Sequence, residues 1–329
     1  MLKVSWGKYF NPQRVLDLLK ILERREKMTV LTPTYNRAYI LNSAFESLCR
    51  QTISDFEWII VDDGSTDNTE DLVKNWLDIE LPFQLRYYKQ ENGGKHRALN
   101  KGIKEAKYDY ILILDSDDYL TDDAVEKVHA WVKTIEGLDG FAGVAGLKGY
   151  INKTECIGGT GDGREYIDAK NTERRKYNLL GDKAEVYKTE VLREYPFPEF
   201  EGEKFLSEHV VWDAIARDGY KIRWFNEIIY KCEYLEDGLT KTAKTYSLQM
   251  ENFNGFTLDT KLYIEMYPFF HKYFAIGQYY IVARLKGYKC NEIKDLIKVS
   301  NVQIFLGRSV HRLNALRKYV LKMVVKWKK

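Results

Sequence analysis

The strongest constraint on this chain is an alternation between Met28 and Leu114: strand-like runs are separated by amphipathic ones, and two of the strand-like runs end in clustered carboxylates. Thr29–Thr32, Phe56–Val61, Gln84–Lys89 and Tyr110–Leu114 read as strands, and Ala38–Arg50, Thr69–Leu77 and Lys95–Ala106 between them read as helices. Apart from Glu57, Phe56–Val61 and Tyr110–Leu114 are too continuously apolar to have one wet face. Both faces are therefore covered, the pattern of a mostly parallel α/β sheet flanked by helices. Such a sheet binds ligands outside the carboxyl ends of its strands, so the polar residues that follow each run are the candidates for chemistry.

With 329 residues and 45% hydrophobic content the chain can bury a substantial core. Its net charge of +3 is the difference between 51 basic and 48 acidic side chains, which gives no bulk field for nucleic acid, so an anionic ligand has to be held locally. Cys49, Cys156, Cys232 and Cys290 are too dispersed for a zinc pattern or a disulfide framework, and a reducing cytosol suits them. The beginning of the chain lacks the unbroken apolar run of a secretory signal, and no stretch offers about 18 uncharged apolar residues. The expectation is a cytoplasmic protein, soluble or at the inner face of the cell membrane.

Three regions are expected. Residues 1–27 form a helical extension, with Asn11 as cap, Pro12 at the first helical position and Val15, Leu16, Leu19 and Leu22 as a stripe. Residues 28–235 form the α/β unit. After a helix at Asp122–Ile135 its pattern loosens through the Gly-rich Phe141–Gly163 and the charged Asp168–Lys176, then resumes with a strand at Glu185–Lys188, a helix at Ser207–Asp218 and a strand at Lys221–Tyr234. Residues 236–329 read as helical. Their end, Arg308–Lys329, is basic and free of acids, with Leu313, Leu316, Val320 and Val324 on one helical face and Trp327 beyond. Such a helix can lie on an anionic bilayer or dock on its own protein.

The segment Asp115-Ser116-Asp117-Asp118 concentrates negative charge where an apolar strand leaves the sheet. Carboxylates this close repel one another unless a cation or ligand screens them, and Mg²⁺ or Mn²⁺ with phosphate oxygens fits that need. The plainer alternative has Asp118 capping the next helix. Asp62-Asp63-Gly64-Ser65 forms a second acidic strand end, and Thr32-Pro33-Thr34-Tyr35-Asn36-Arg37 ends the first strand. Pro33 and Tyr35 can flank a flat base, and a carboxylate can accept the imide N–H of uracil. Lys95, after Gly93-Gly94, can reach a phosphate, whereas His96 reads as an ordinary helix residue. This is not a Walker A loop, because Lys89 stands where glycine is required, and Gly158–Gly163 fails the dinucleotide pattern at Arg164.

Together these segments resemble glycosyltransferase family 2, whose members have the GT-A fold. The resemblance rests on Thr32–Arg37, Gln51-Thr52 with Phe56-Glu57, Val61–Asp67, Asn92-Gly93-Gly94, Ala98-Leu99-Asn100 with Gly102, and Leu114–Asp118, in matching order and spacing over about residues 28–120. It implies an enzyme that transfers a sugar from a UDP-sugar to a hydroxyl of a glycan or lipid-linked acceptor. It further implies base contacts at Pro33, Tyr35 and Asp63, donor contacts at Asp115 and Ser116, and a Mg²⁺ or Mn²⁺ ligand at Asp117. An inverting transfer also needs a base, and the family's Glu-Asp pair opening a later helix resembles Glu208-His209 here, with His209 where Asp is usual. Glu208, capped into place by Ser207, is the expected base; Glu203 and His209 are alternatives, and Asp213 can line the wall. Trp212 and Tyr234 are candidates for an acceptor platform. Tyr220 replaces the Gln of the processive Q-x-x-R-W motif before Arg223-Trp224, so a non-processive enzyme is expected. The rival readings are a metal-dependent nucleotidyltransferase and an inactive nucleotide-sugar-binding scaffold.

Overall fold

In the computed structural model the apolar runs pair into a single mixed sheet; residues 27–151, 153–232 and 245–327 are described, with side chains up to residue 314. The helix expected around Pro12 and the platform residue Tyr234 lie outside the described residues. Strands β1 (Met28–Thr34), β2 (Phe56–Asp62), β3 (Gln84–Lys89) and β4 (Tyr110–Ile113) are parallel, with helices α1 (Asn42–Cys49), α2 (Thr69–Leu77) and α3 (Lys95–Glu105) between them. The remaining elements are β5 (Tyr119–Leu120), α4 (Ala124–Lys133), β6 (Phe141–Tyr150), β7 (Tyr166–Ala169), β8 (Lys183–Lys188), α5 (Thr189–Glu194), α6 (His209–Arg217) and β9 (Lys221–Cys232). The strand order is β3-β2-β1-β4-β8-β6-β9-β5, with β7 beside β9. Chain order reverses between β1 and β4, which opens the crevice at their carboxyl ends.

The sheet departs from a mostly parallel one beyond β4, because β8 runs antiparallel to both β4 and β6, while β6 and β9 are parallel. The Gly-rich stretch expected to be irregular is in part the long strand β6. Its glycines are there for closeness: a Cβ on Gly143 would lie 1.9 Å from the Val186 carbonyl oxygen on β8. The first helix begins at Asn42 rather than Ala38, because Ile40 and Leu41 both donate to the Arg37 carbonyl and form a turn first.

On one face of the sheet Trp58 is fully buried against Phe45, Trp76 and Phe83, its indole N–H donating to the Thr32 hydroxyl at 2.9 Å. On the other, Ala98, Leu99 and Ile103 of α3 cover Leu31, Ile59 and Val61. Helices α7 (Tyr246–Glu251), α8 (Phe253–Met266), α9 (Phe269–Leu285), α10 (Cys290–Ile297) and α11 (Asn301–Trp327) build a separate core around Phe253, Ile276, Tyr279 and Ile304. The first half of α11 thus docks on the protein, while Leu313 is exposed and the side chains of Leu316, Val320, Val324 and Trp327 lie outside the described set. No helix among the described residues is long and apolar enough to cross a membrane.

Candidate active site

The carboxyl ends of β1 and β2 are laced together before any ligand is considered. Asn36, held at φ 52°, accepts the Thr66 N–H at 2.8 Å, and its own N–H donates to the Ser65 hydroxyl at 2.9 Å. Asp62 accepts Ser65 N–H at 2.7 Å and the Tyr87 hydroxyl at 2.6 Å. Beside this lacing Tyr35 is 46% exposed, whereas Pro33 is buried within β1 opposite Val61. Pro33 therefore shapes the crevice floor from within the sheet. The buried Thr34 hydroxyl at the strand's end has no hydrogen-bond partner among the described residues, an orphan that a bound nucleotide could satisfy.

Asp63 is buried, and its two oxygens accept four donors: Gln90 Nε2 at 2.8 Å, Gly93 N–H at 2.9 Å, Asn92 Nδ2 at 3.1 Å and Gly94 N–H at 2.7 Å. A carboxylate has roughly four lone-pair sites, so as folded Asp63 has none left for a base. It staples the Asn92–Gly94 loop instead. Gly94, at φ 99°, opens α3, and a Cβ there would lie 1.9 Å from the Lys204 carbonyl oxygen, so only glycine lets these segments meet.

That loop delivers Lys95 to the centre of the site. Its ammonium is 2.6 Å from Asp115 Oδ1 and 2.6 Å from Glu208 Oε1, joining the end of β4 to the start of α6. Lys148, from β6, stands 3.7 Å from Asp115 and 4.0 Å from Asp118, above the Tyr230 ring at 3.9 Å. Burial works against ionisation of Asp115, but Lys95 and Lys148 together hold its carboxyl down to about 2. Asp118 goes the other way: burial and the Asp115 charge push it up to about 8, and Tyr230 hydrogen-bonds it while accepting the Asp115 N–H at 2.9 Å. It is not a helix cap, since α4 begins only at Ala124. Ser116 is buried between the acids.

Asp117 is the acid left without a bound cation. It is half-buried, has no ion pair within 4 Å among the described residues, and is raised by burial and by the Asp115 charge. Arg37 and Lys95 oppose that rise only from a distance. A divalent cation beside Asp117 fits this environment. No cluster of three potential ligands occurs among the described residues, so such an ion would take the rest of its shell from phosphate and water, as Mg²⁺ commonly does.

The segment preceding Glu208 is fixed from two sides. Arg97 on α3 donates to the carbonyls of Phe200 and Glu203, both at 2.6 Å, and Asn100 holds Phe197 through its N–H and its carbonyl. From the helical side, Asn252 accepts Lys204 and Phe205 N–H, both at 2.8 Å. Glu203 is buried and receives Asn254 N–H at 2.6 Å and Gly255 N–H at 2.8 Å at the start of α8, so it anchors that helix and is unsuited to be the base. Ser207 does not cap α6 through its side chain; the helix starts at His209 with Glu208 flanking it. His209 is exposed, facing the charges of Asp213 and Asp259. Asp213 is buried and bound by Asn171 at 2.7 Å and Tyr267 at 3.1 Å, and Trp212 stacks on Tyr187 at 4.3 Å, so both are structural rather than part of an open wall or platform.

A family model described as "Glycosyl transferase family 2" matches residues 29–145, just over a third of the chain. Residues 29–145 thus form a glycosyltransferase family 2 domain. "Glycosyltransferase GlyA" of Streptococcus pneumoniae is 34% identical over 104 residues, 32% of this chain and 15% of that protein. "Chondroitin synthase" of Escherichia coli is 40% identical over 93 residues, 27% of this chain and 13% of that one. The chain spans less than half the length of the curated relatives it matches. Beyond the family 2 domain the likeness continues as fold: S. aureus TarS residues 1–349 align with TM-score 0.57 at 18% identity over 87% of this chain and 88% of that one. The same TarS segment solved with UDP-GlcNAc aligns at TM-score 0.59 and 17% identity over 88% and 92%. The sheet and its helices form a GT-A fold.

Lys148 and Tyr230 were not singled out in the sequence, although a lysine inside an otherwise apolar run is itself a signal, since a buried ammonium needs carboxylates beside it.

Proposed function

We propose that this chain is an inverting, non-processive glycosyltransferase that moves a sugar from a UDP-sugar to a hydroxyl of a glycan or lipid-linked acceptor in bacterial surface polysaccharide synthesis. The observation that carries this reading is Lys95, held 2.6 Å from both Asp115 and Glu208, which sets a donor-side acid and the candidate base on either side of one ammonium. The TarS structures with UDP and UDP-GlcNAc support a uridine donor.

In this reading Tyr35 and the orphan Thr34 hydroxyl receive the nucleoside, Pro33 forms the floor beneath it, and Asp63 acts through the Asn92–Gly94 loop that it shapes. Asp115 and Ser116 face the donor. Asp117 would hold Mg²⁺ or Mn²⁺, which supplies positive charge for the diphosphate. Lys95 exchanges Glu208 for a phosphate oxygen when the donor enters, and this frees the Glu208 carboxylate. The acceptor oxygen then forms a bond to the anomeric carbon from the face opposite the phosphate. Its proton passes to Glu208, and the anomeric C–O bond breaks with its electron pair on the departing UDP. We assign this chemistry to residues 28–235 and a supporting role to the helices of 236–329, whose basic end would hold the enzyme at the cytoplasmic face of an anionic membrane.

A panel of UDP-sugars tests the reading through UDP release and the anomeric configuration of the product. Asp117→Asn is expected to abolish the part of the UDP-induced thermal shift that depends on Mn²⁺, and Glu208→Gln to remove turnover while leaving that shift in place. Pyrophosphate release from a nucleoside triphosphate would replace this reading with nucleotidyl transfer. Turnover that survives both substitutions would refute the two assignments.

A further inference from the structure

A cavity of about 420 Å³ borders the segment that leads to Glu208. Its floor is Phe205–Ser207, and its walls come from α7, α8 and α9. The volume falls in the range of small-molecule sites.

Two features make the lining unusual for a packing defect. Aromatic surfaces from Phe256, Tyr263 and Phe274 face inward together with polar groups. Two of those polar groups lack a donor: the side-chain amide oxygen of Gln249 is buried without a hydrogen-bond partner, and the half-buried Asp259 carboxylate, which lines the cavity, has neither a hydrogen bond nor an ion pair within 4 Å among the described residues. Burial and the Asp213 charge raise the Asp259 carboxyl to about 6, with the nearby His209 charge opposing the rise. A native interior rarely leaves a buried acceptor such as Gln249 Oε1 orphaned, and a ligand that brings several O–H donors would satisfy it together with the bare Asp259 carboxylate. A phosphate or another anion would be repelled by Asp259. A ligand with hydroxyls around its edge and apolar C–H faces suits aromatic walls and bare acceptors alike, and that is the surface of a sugar ring.

We propose that this cavity binds a neutral saccharide unit of the acceptor, the ring next to the one whose hydroxyl reaches Glu208. The inference rests on the glycosyltransferase reading and gives it an acceptor site. Because Ser207 lines the cavity and Glu208 follows it, an occupant abuts the segment that presents the base.

The test uses the full chain and four named probes, ethanolamine and the methyl glycosides of glucose, galactose and N-acetylglucosamine, observed by saturation-transfer difference NMR with and without saturating UDP. At least one glycoside is expected to show ring-proton transfer that persists under UDP. Asp259→Asn and Gln249→Leu are each expected to weaken that binding at least about ten-fold. Circular dichroism and the UDP-induced thermal shift of each variant, measured alongside, report folding and the donor site separately. Three results would overturn the proposal: no transfer to any glycoside, transfer abolished by UDP, or affinities unchanged in both variants. Binding of ethanolamine but of no glycoside would likewise replace the saccharide with an amine. Saccharide binding without any response to UDP would instead sink the donor assignment and leave the cavity's role standing.

Discussion

Replacing Lys95 by Met removes one cation from between two carboxylates, and the cost can be worked from the geometry. Both contacts are 2.6 Å, and the side chains of Lys95, Asp115 and Glu208 are 28%, 29% and 34% exposed. A shielded charge-assisted hydrogen bond contributes ~1.5–3 kcal/mol, and with about a third of each group in water the lower end applies to each contact. Asp115 keeps Lys148 at 3.7 Å, whereas Glu208 has no second cation within 4 Å among the described residues. The expected loss is about 2–3 kcal/mol at neutral pH, which lowers the apparent Tm of a chain this large by roughly 3–4 °C. A double-mutant cycle with Glu208→Gln, followed by urea denaturation, isolates the Lys95–Glu208 contact and should give a coupling of about 1–2 kcal/mol. The pH dependence has a fixed sign. The Asp115 pKa is depressed in the folded state, so its stabilisation is present above the unfolded-state value near ~4 and is lost as pH falls toward about 2. The gap between wild type and Lys95→Met should therefore narrow below about pH 4. Strictly additive single mutants, or a gap that widens in acid, would refute the bridging role.

Three further outcomes are expected. Gly94→Ala places a Cβ 1.9 Å from the Lys204 carbonyl oxygen at φ 99°, so UDP binding measured by calorimetry should be lost along with several kcal/mol of stability, on the order of 2–4. Trp58→Ala empties the centre of the aromatic cluster and should cost about 3–5 kcal/mol in denaturant unfolding. Lys183 is buried, and burial followed by the Arg174 charge lowers its pKa to about 8. Between that value and the unfolded-state value the folded chain binds fewer protons, so wild-type stability relative to Lys183→Met should rise with pH by about 3 kcal/mol from pH 8 to 10.5; a flat difference would count against it.

What could be read in advance divides along the range of the interactions involved. The first four strands and the acidic ends of β2 and β4 were legible because each follows from a local pattern, apolar residues then a carboxylate, and parallel pairing needs only that both faces be covered. Strand β6 was not, since its glycines look like loop punctuation until Val186 of β8 is seen to press against Gly143. Asp63 shows the same limit in the site. Its place at a strand end was readable, but the four donors that consume its acceptors come from Gln90 and the Asn92–Gly94 loop, across the β2–β3 crossover. In the sequence only the family resemblance favours Glu208 over Glu203 as base, since both are carboxylates in one segment. They separate only when the helix start at Asn254-Gly255 claims the first and Lys95 claims the second.

That separation assigns the C-terminal helices a mechanical part in the site. The segment from Phe197 to Glu208 has no strand or helix of its own among the described residues, so its position depends on what holds it at the sides. Arg97 and Asn100 hold it to α3, the helix that also carries Lys95 at its first turn. Asn252 and Glu203 hold it to the start of α8. Glu208 is thus placed by the sheet and by the helical region jointly, and a ligand bound between α8, α9 and Phe205–Ser207 would act on the same segment. Loosening the helical attachment with Glu203→Gln should therefore slow turnover more than it weakens UDP binding, because the Asp63 contacts that hold the Asn92–Gly94 loop lie on the sheet side and remain in place. An equal fall in both would mean that the segment is placed by α3 alone.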